Sequence, residues 1–292
     1  MSITNNLKKY WIFLEKKYPS PLYITKVKSV DFKYLKNAID KNNESYLRKI
    51  IKNLYVKREA YILKNCAKQN LKNTILNFVN DYKKNKKIKF HKMLDGTPNF
   101  HRIYDKNITK KYKVYAIKHS FFLYNWNIKN RLEKKIKDEV YKHWRYIKFL
   151  SGNSKFQFEK NIPSDGQVDR LQVVRYPAGG GELRDHVDPT KNQRVVSGLI
   201  MSKIGEDFDK GGFYFRSSKN RVVNIENKLD VGDSVIFYGS IIHGVQKVDP
   251  HKKLLWNSNI GRWFVGMFVN DSDHVKNRIS AKDLSGSFSL KT

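Results

Sequence analysis

The stretch Tyr176-Pro-Ala-Gly-Gly-Gly-Glu-Leu-Arg-Asp-His186-Val-Asp188 belongs to a part of the chain that has the pattern of β-structure. After Gly152, short runs of Val, Ile, Phe and Tyr alternate with turns rich in Gly, Pro, Asp and Asn. This alternation is typical of an all-β sandwich or barrel. The predicted strands are Arg170–Tyr176, Arg194–Ser202, Gly212–Arg216, Arg221–Asn224, Ser234–Tyr238, Ile242–Lys247 and Arg262–Val269.

His186 and Asp188 are two positions apart, and in a strand or at its end such residues point to the same side. Their side chains can therefore converge on one ion, and His243 can bring a second imidazole from a later strand. A face of two histidines and one carboxylate leaves three octahedral positions open and suits non-haem Fe(II). A His-x-Asp motif taken alone is more often a surface or structural histidine.

Further motifs surround this pair in a definite order. They are Arg194-Val-Val-Ser-Gly-Leu-Ile-Met-Ser202, Gly211-Gly-Phe-Tyr-Phe215, Val231-Gly-Asp-Ser-Val-Ile-Phe237, His243-Gly-Val245 and Gly261-Arg262-Trp263. The ordered set resembles the Fe(II)/2-oxoglutarate-dependent dioxygenases, most closely the prolyl-4-hydroxylase-like branch, over about residues 165–270. The resemblance implies an α+β protein with a double-stranded β-helix (jelly-roll) core and an N-terminal helical layer.

The resemblance also implies roles for five residues. His186, Asp188 and His243 are expected to bind Fe(II), and Arg262 is expected to pair with the distal carboxylate of 2-oxoglutarate. A guanidinium suits this task because it presents two parallel donors to a carboxylate. Tyr176 stands about where the family has a tyrosine that helps to bind the co-substrate, while a packed strand aromatic is an equally good interpretation.

The sequence departs from the family pattern after the second histidine. Many relatives have the basic residue about ten positions later, where this chain has Lys253. We favour Arg262 because it lies in a predicted strand, whereas Lys253 lies in Asp-Pro-His-Lys-Lys, which is typical of a loop. Phe264 replaces the small hydroxyl residue that often follows the arginine by two positions.

The resemblance implies hydroxylation of an unactivated C–H bond with 2-oxoglutarate and O2 as co-substrates, release of succinate and CO2, and a use for ascorbate as reductant. We favour a small-molecule substrate because nothing outside the core resembles a known reader domain. A protein or nucleic-acid substrate is the alternative within this class. Outside it, the alternatives are a nucleic-acid-binding module that uses the basic N-terminal helices and a cupin-like metal protein without oxygen chemistry.

Residues 1–150 are predicted to form a mainly helical region packed on the jelly-roll domain of residues 151–292. Helical spacing of apolar residues is seen in three groups, and the last long helix is predicted over about 129–150. The aromatic segment His119–Trp126 favours a buried strand over a base-stacking surface. The apolar groups are Leu7, Trp11, Leu14 and Tyr18; Leu47, Ile50, Ile51, Leu54, Tyr61 and Leu63; and Leu132, Ile136, Val140, Trp144 and Ile147.

The net charge of +31 is concentrated in the first half of the chain. Residues 1–160 hold 39 Lys and Arg against 12 Asp and Glu, a net of +27, whereas residues 161–292 have a net of +4. The lysines are spread through the helical pattern, which favours a solvated layer over a nucleic-acid surface. Four arginines near the predicted strands are likewise expected to be ordinary surface charges. They are Arg175, Arg184, Arg216 and Arg221.

The compartment is predicted from the cysteine count and from the hydropathy. Cys66 is the only cysteine, so no intrachain disulfide can form, and a reducing cytoplasm is expected. No secretory signal is visible at the N-terminus, and no run of about 18 apolar residues is present, so no membrane partner is expected. The sequence leaves the oligomeric state open.

Overall fold

The computed structural model describes residues 2–84, 90–110 and 114–285, for 83 and 84 the backbone only. These residues form six α-helices and thirteen strands. In chain order they are α1 (Ile3–Lys17), β1 (Lys26–Asp31), α2 (Phe32–Asp40), α3 (Glu44–Tyr55), β2 (Glu59–Lys64), α4 (Asn70–Lys84), β3 (Phe100–Tyr104), α5 (Lys106–Thr109), β4 (Ala116–Tyr124), α6 (Arg131–Leu150), β5 (Gln167–Pro177), β6 (Gly181–Val187), β7 (Val195–Ile200), β8 (Gly212–Ser218), β9 (Arg221–Asn224), β10 (Ser234–Tyr238), β11 (His243–Val248), β12 (Gly261–Asp271) and β13 (Lys282–Asp283).

The strands from β5 to β12 form two antiparallel four-stranded sheets. The first has the order β10-β7-β12-β5 and the second has the order β6-β11-β8-β9. Along the chain the strands alternate between the two sheets, except for the hairpin of β8 and β9. This alternation is the jelly-roll topology, so the predicted fold of the core is confirmed. All seven predicted strands are present, and β6 is an additional strand that the prediction did not include.

The first part of the chain also contributes strands to these sheets. β2 pairs with β10, and β1 pairs in parallel with β2. β4 pairs with β5 and, through Ala116 and Ile117, with β6, so it links the two sheets along one side. The predicted buried strand within His119–Trp126 is therefore confirmed. The division of the chain at residue 150 stays a prediction, and strands from both sides of it share hydrogen-bonded sheets.

Tyr61 and Leu63 correct the predicted helical pattern, because both lie in β2 and not in a helix. Five of the six residues of β2 are buried. A strand that is covered on both faces shows no alternation of apolar and polar residues, so its short apolar run cannot be distinguished from part of a helix by periodicity.

The helices cover the outer face of the first sheet. α6 begins where the Asn130 side chain accepts a hydrogen bond from the Glu133 amide, and its predicted apolar face is buried except for the half-buried Leu132. Lys148 of α6 forms a fully buried ion pair with Asp169 of β5, with 2.8 Å between Nζ and Oδ2. In the described part of the chain, no helix is both long and apolar enough to cross a bilayer.

Trp11 joins α1 to the rest of the helical layer. Its side chain is fully buried, and its indole Nε1 donates to the backbone oxygen of Leu150, the last residue of α6, at 2.8 Å. Its ring also stacks against Tyr238 of β10, with 5.5 Å between the ring centroids. Because buried aromatic side chains contribute much of the packing energy of a core, α1 is fixed to both α6 and the first sheet.

His143 of α6 makes the stability of this layer depend on pH. Its Nε2 is 2.8 Å from the Ser197 hydroxyl of β7, and burial lowers the pKa of His143 to about 3. The unfolded chain, with a histidine pKa of about 6.5, binds the proton first, so stability falls as the pH falls below about 6.5.

We expect His143 to remove about 2 kcal/mol from the free energy of unfolding between pH 7 and pH 5. Urea titrations at the two pH values should show this loss reduced in His143→Gln, which retains a group able to hydrogen-bond Ser197. The exposed His251 provides the control, since His251→Gln should leave the loss unchanged. An equal loss in wild type and His143→Gln would contradict the assignment.

Candidate metal centre

The structure brings the three predicted ligand residues together. His186 of β6 and His243 of β11 are directly opposite each other in the antiparallel register, and Asp188 follows the last residue of β6. One potential ligand atom from each of the three side chains lies within 4.8 Å of the other two. The Nε2 of His243 is 3.5 Å from Oδ2 of Asp188. A single cation can therefore contact all three side chains.

Backbone hydrogen bonds fix the orientation of both imidazoles. The Nδ1 of His186 is 2.9 Å from the carbonyl oxygen of Arg184, and the Nδ1 of His243 is 2.9 Å from that of Ile241. Because a carbonyl oxygen only accepts, each Nδ1 carries a proton. Each neutral ring therefore presents an unprotonated Nε2 to the shared space, which is the form that binds a metal.

The electrostatics of the three groups favour the same state. Burial, together with the neighbouring His243, lowers the pKa of His186 to about 4. Burial opposes ionisation of Asp188, but the hydrogen bond from His243 and the nearby positive charges outweigh it and hold the pKa of Asp188 below its usual value. Near neutral pH, the site therefore offers an uncharged His186 imidazole beside a carboxylate, a donor set that suits a divalent cation.

Gly244 follows the second histidine at a point where β11 has no space for a side chain. A Cβ at this position would lie 2.6 Å from the carbonyl oxygen of Leu183 on β6 and 2.6 Å from the hydroxyl of Tyr214 on β8. Any larger residue would push β11 away from its neighbours and displace His243. The His-Gly pair in the sequence is thus explained by close strand packing.

A cavity of about 260 Å³ lies beside the triad, between the two sheets. Arg262 of β12 and Tyr176 of β5 are directly opposite each other in the strand register, and both line this cavity. Lys253 lies on the exposed loop between β11 and β12 and does not line it. Of the two basic residues considered as the co-substrate anchor, Arg262 therefore shares the cavity with the triad.

Glu226 holds the Arg262 guanidinium, and the sequence analysis did not identify it. The Arg262 Nε donates to Oε2 of Glu226 at 2.8 Å, and the two side chains are 2% and 1% exposed. The same oxygen accepts a hydrogen bond from the Phe213 amide. The two Nη groups of Arg262 have no hydrogen-bond partner among the described residues, so they are free to meet a ligand.

Tyr176 combines the two interpretations that the sequence left open. Its ring packs against Phe264, with 6.1 Å between centroids and 10° between planes. Its hydroxyl is buried and has no hydrogen-bond partner in the part of the chain that the structure describes. Burial raises the pKa of Tyr176, so the hydroxyl remains protonated and can donate to a ligand in the cavity.

The four arginines expected at the surface do not line the cavity, but they are not all surface charges. Arg175 is fully buried and donates to the carbonyl oxygen of Trp256 and contacts His119, so that prediction was wrong for this residue. Arg216 forms an ion pair with Asp185 at 2.7 Å. The cavity instead contains Arg170 and Lys118, which the sequence analysis did not single out.

The Glu226–Arg262 pair yields a stability prediction. Glu226→Ala leaves a buried guanidinium without its carboxylate, so we expect a loss of about 3–5 kcal/mol in the free energy of unfolding, measured by urea denaturation. Glu206, whose exposed carboxylate pairs with Lys203, is the matched control. Glu206→Ala should cost far less because exposed ion pairs contribute little, and equal losses in both variants would contradict the assignment.

No protein-family model and no curated protein matches the sequence. Solved structures do match. A Neurospora crassa thymine hydroxylase in complex with alpha-KG and thymine is 14% identical, covers 90% of this chain and 94% of its own, and has a TM-score of 0.49. A Pseudomonas putida prolyl-4-hydroxylase is 10% identical, with coverages of 72% and 91% and a TM-score of 0.45.

A 2OG-Fe(II) oxygenase family protein from Caulobacter crescentus is 13% identical, covers 72% of this chain and 77% of its own, and has a TM-score of 0.40. The chain is thus similar to solved structures of 2OG-Fe(II) oxygenases, the family that its ordered motifs resemble.

Proposed function

We propose that this protein is an Fe(II)- and 2-oxoglutarate-dependent dioxygenase that hydroxylates an unactivated C–H bond of a small molecule. The observation that carries the proposal is the convergence of His186, Asp188 and His243, with both histidine Nε2 atoms unprotonated, on a cavity that also contains Arg262. A jelly-roll that served only as a scaffold would have no need of three converging ligands beside a buried cation.

In this proposal His186, Asp188 and His243 hold Fe(II) on one face. Bound there, Fe(II) supplies the activation of dioxygen. The neutral imidazoles and the single carboxylate leave one positive charge on the centre, which favours the binding of an anionic co-substrate. The backbone bonds to both Nδ1 atoms hold the rings in place, so the ligands do not have to reorient when the metal binds.

Arg262 and Tyr176 are the proposed contacts of 2-oxoglutarate. The free Nη groups of Arg262 can donate two parallel hydrogen bonds to the distal carboxylate, and the unpaired Tyr176 hydroxyl can donate a third bond. Glu226 is a positioning residue, because it holds the Arg262 Nε and thereby directs the Nη groups into the cavity. The large ring of Phe264 replaces a hydroxyl contact by packing against Tyr176.

The proposed reaction is balanced by the co-substrates alone. The substrate C–H bond, 2-oxoglutarate and O2 give the alcohol, succinate and CO2, with one oxygen atom entering the alcohol and the other entering succinate. Ascorbate would act only as a reductant that keeps the iron in the ferrous state. Apolar walls from both sheets exclude bulk water, which strengthens the charge interactions within the site.

The first test concerns the triad. Alanine at His186, Asp188 or His243 should abolish 2-oxoglutarate consumption, because each change removes one of the three metal ligands. Succinate formation and Fe(II) binding are measured on the same samples, with circular dichroism to verify folding. Undiminished iron binding in both histidine variants would exclude this metal site. Iron binding without any 2-oxoglutarate consumption by the wild-type protein would favour the cupin-like alternative.

The second test separates Arg262 from Lys253. Removing one partner of a buried charge pair costs about 3–5 kcal/mol, so Arg262→Ala should raise the apparent constant for 2-oxoglutarate at least about a hundredfold. Arg262→Lys keeps a charge for Glu226 but loses the paired donors, and it provides a variant that can still fold. The exposed Lys253 is the control, with an expected change in Lys253→Ala below about fivefold. The reverse order would identify Lys253 as the anchor.

A further inference from the structure

The cavity contains more positive charge than the proposed co-substrate needs. Besides Arg262, it is lined by Lys118 of β4, Arg170 of β5 and Arg278 from the segment before β13. Asp188 is the only carboxylate among the described residues that line it. Burying cations without carboxylates is unfavourable unless a ligand compensates them, so these side chains require an explanation.

Arg170 is the least compensated of these groups. Its Nε is buried, and its guanidinium makes no hydrogen bond or ion pair to any described residue. The guanidinium lies over the ring of Phe122, 5.3 Å from the centroid, so its apolar surface is packed while its donors are unused. Burial lowers the pKa of Arg170, which reflects the same lack of a counter-charge.

Lys118 adds a second cation to the same side of the cavity. Its ammonium is 5.3 Å from the centroid of the Tyr104 ring, and within the described residues it has no ion pair. Burial, together with the charge of Arg170, lowers the pKa of Lys118 to about 8. Lys118 and Arg170 each interact electrostatically with Asp188, so both lie near the metal ligands.

Arg278 and Asn270 complete this part of the wall. The Arg278 Nη1 is 2.6 Å from Oδ1 of Asp273, so its charge is already compensated. The side-chain Oδ1 of Asn270 is buried and has no partner in the described ranges. A ligand here would therefore meet two unpaired cations and one free hydrogen-bond acceptor.

Arg170 lies too far from Arg262 to serve the same anion. Arg262 is opposite Tyr176 in the register, and Arg170 is six residues from Tyr176 along β5, about 20 Å at the usual rise of a strand. The chain runs along β5 from Arg170 to Tyr176 and returns along β6 to the triad, so Arg170 lies at the triad end of the sheets and Arg262 at the other end.

We propose that Arg170 and Lys118 form the substrate subsite and that they hold an anionic group, a carboxylate or a phosphate, of a small organic molecule. This inference rests on the proposed function, because it names the substrate class of that same site. The anionic group compensates both cations, and the rest of the molecule extends towards the triad, where a C–H bond can be placed beside the metal.

The test uses the full chain loaded with Mn(II), a redox-inert substitute for Fe(II), and saturated with 2-oxoglutarate so that the Arg262 side is occupied. The probes are methyl phosphate, followed by phosphorus NMR, and trifluoroacetate and neutral trifluoroethanol, followed by fluorine NMR. Paramagnetic relaxation by Mn(II) reports only molecules bound near the metal. We expect saturable relaxation of at least one anion and none of trifluoroethanol.

Arg170→Gln and Lys118→Gln should each weaken anion binding at least tenfold, while Lys253→Gln, an exposed control, leaves it unchanged. If Arg170→Gln does not fold, Arg170→Lys, which keeps the charge but not the fork of donors, should bind the anion several times more weakly. Stronger relaxation of methyl phosphate would indicate a phosphorylated substrate, and stronger relaxation of trifluoroacetate a carboxylic acid.

Two outcomes would overturn the proposal: equal relaxation of the neutral probe and the anions, or anion binding that the Arg170 and Lys118 variants leave unchanged. The proposed function is tested separately, by succinate formation in the Fe(II)-loaded wild type without added substrate. Failure of that measurement with intact anion binding would refute the oxygenase, whereas succinate formation without anion binding would refute only the substrate class.

Discussion

The pairing of β6 with β11 determines where the groups of the candidate site can lie. Residues opposite each other in an antiparallel pair share one face of the sheet, and a shift of one residue turns a side chain to the other face. His186 and His243 meet only because they are opposite each other, and a β-bulge follows at once, since Val245 pairs with Leu183. Such bulges often lie beside active sites, where they redirect a side chain. Gly244, within the bulge, allows the close approach that this register requires.

How well each part of the fold could be predicted depended on how its strands are buried. The strands of the jelly-roll are bounded by Gly, Asp and Asn turns, and β9 and β10 lie where they were predicted. β2 was missed because it is covered on both faces and lies among helices, where a short apolar run has no distinctive period. β6 was missed because its polar Glu-Leu-Arg-Asp segment does not look like a strand, and only its pairing with β11 and β4 makes it one.

The candidate site shows the same difference between local and long-range information. His186 and Asp188 could be identified because a spacing of two places both on one side of a strand, and Arg262 because it follows a glycine in an apolar run. Glu226 could not be identified, because it lies 36 residues from Arg262 and reaches it only through the packing of a loop against the cavity. Whether a charge is buried, and what it faces, depends on contacts between distant segments.

The buried cations show which part of the +31 net charge concerns function. Lys148 and Arg262 are each buried with a carboxylate, Asp169 and Glu226, and Arg175 is buried with backbone carbonyl oxygens and His119. These partners are what the desolvation of a charge requires. The lysines of the helical layer are mostly solvated and need no such partners. Arg170 and Lys118 depart from the pattern among the described residues, and both face the cavity of the triad, where a ligand can supply the missing negative charge.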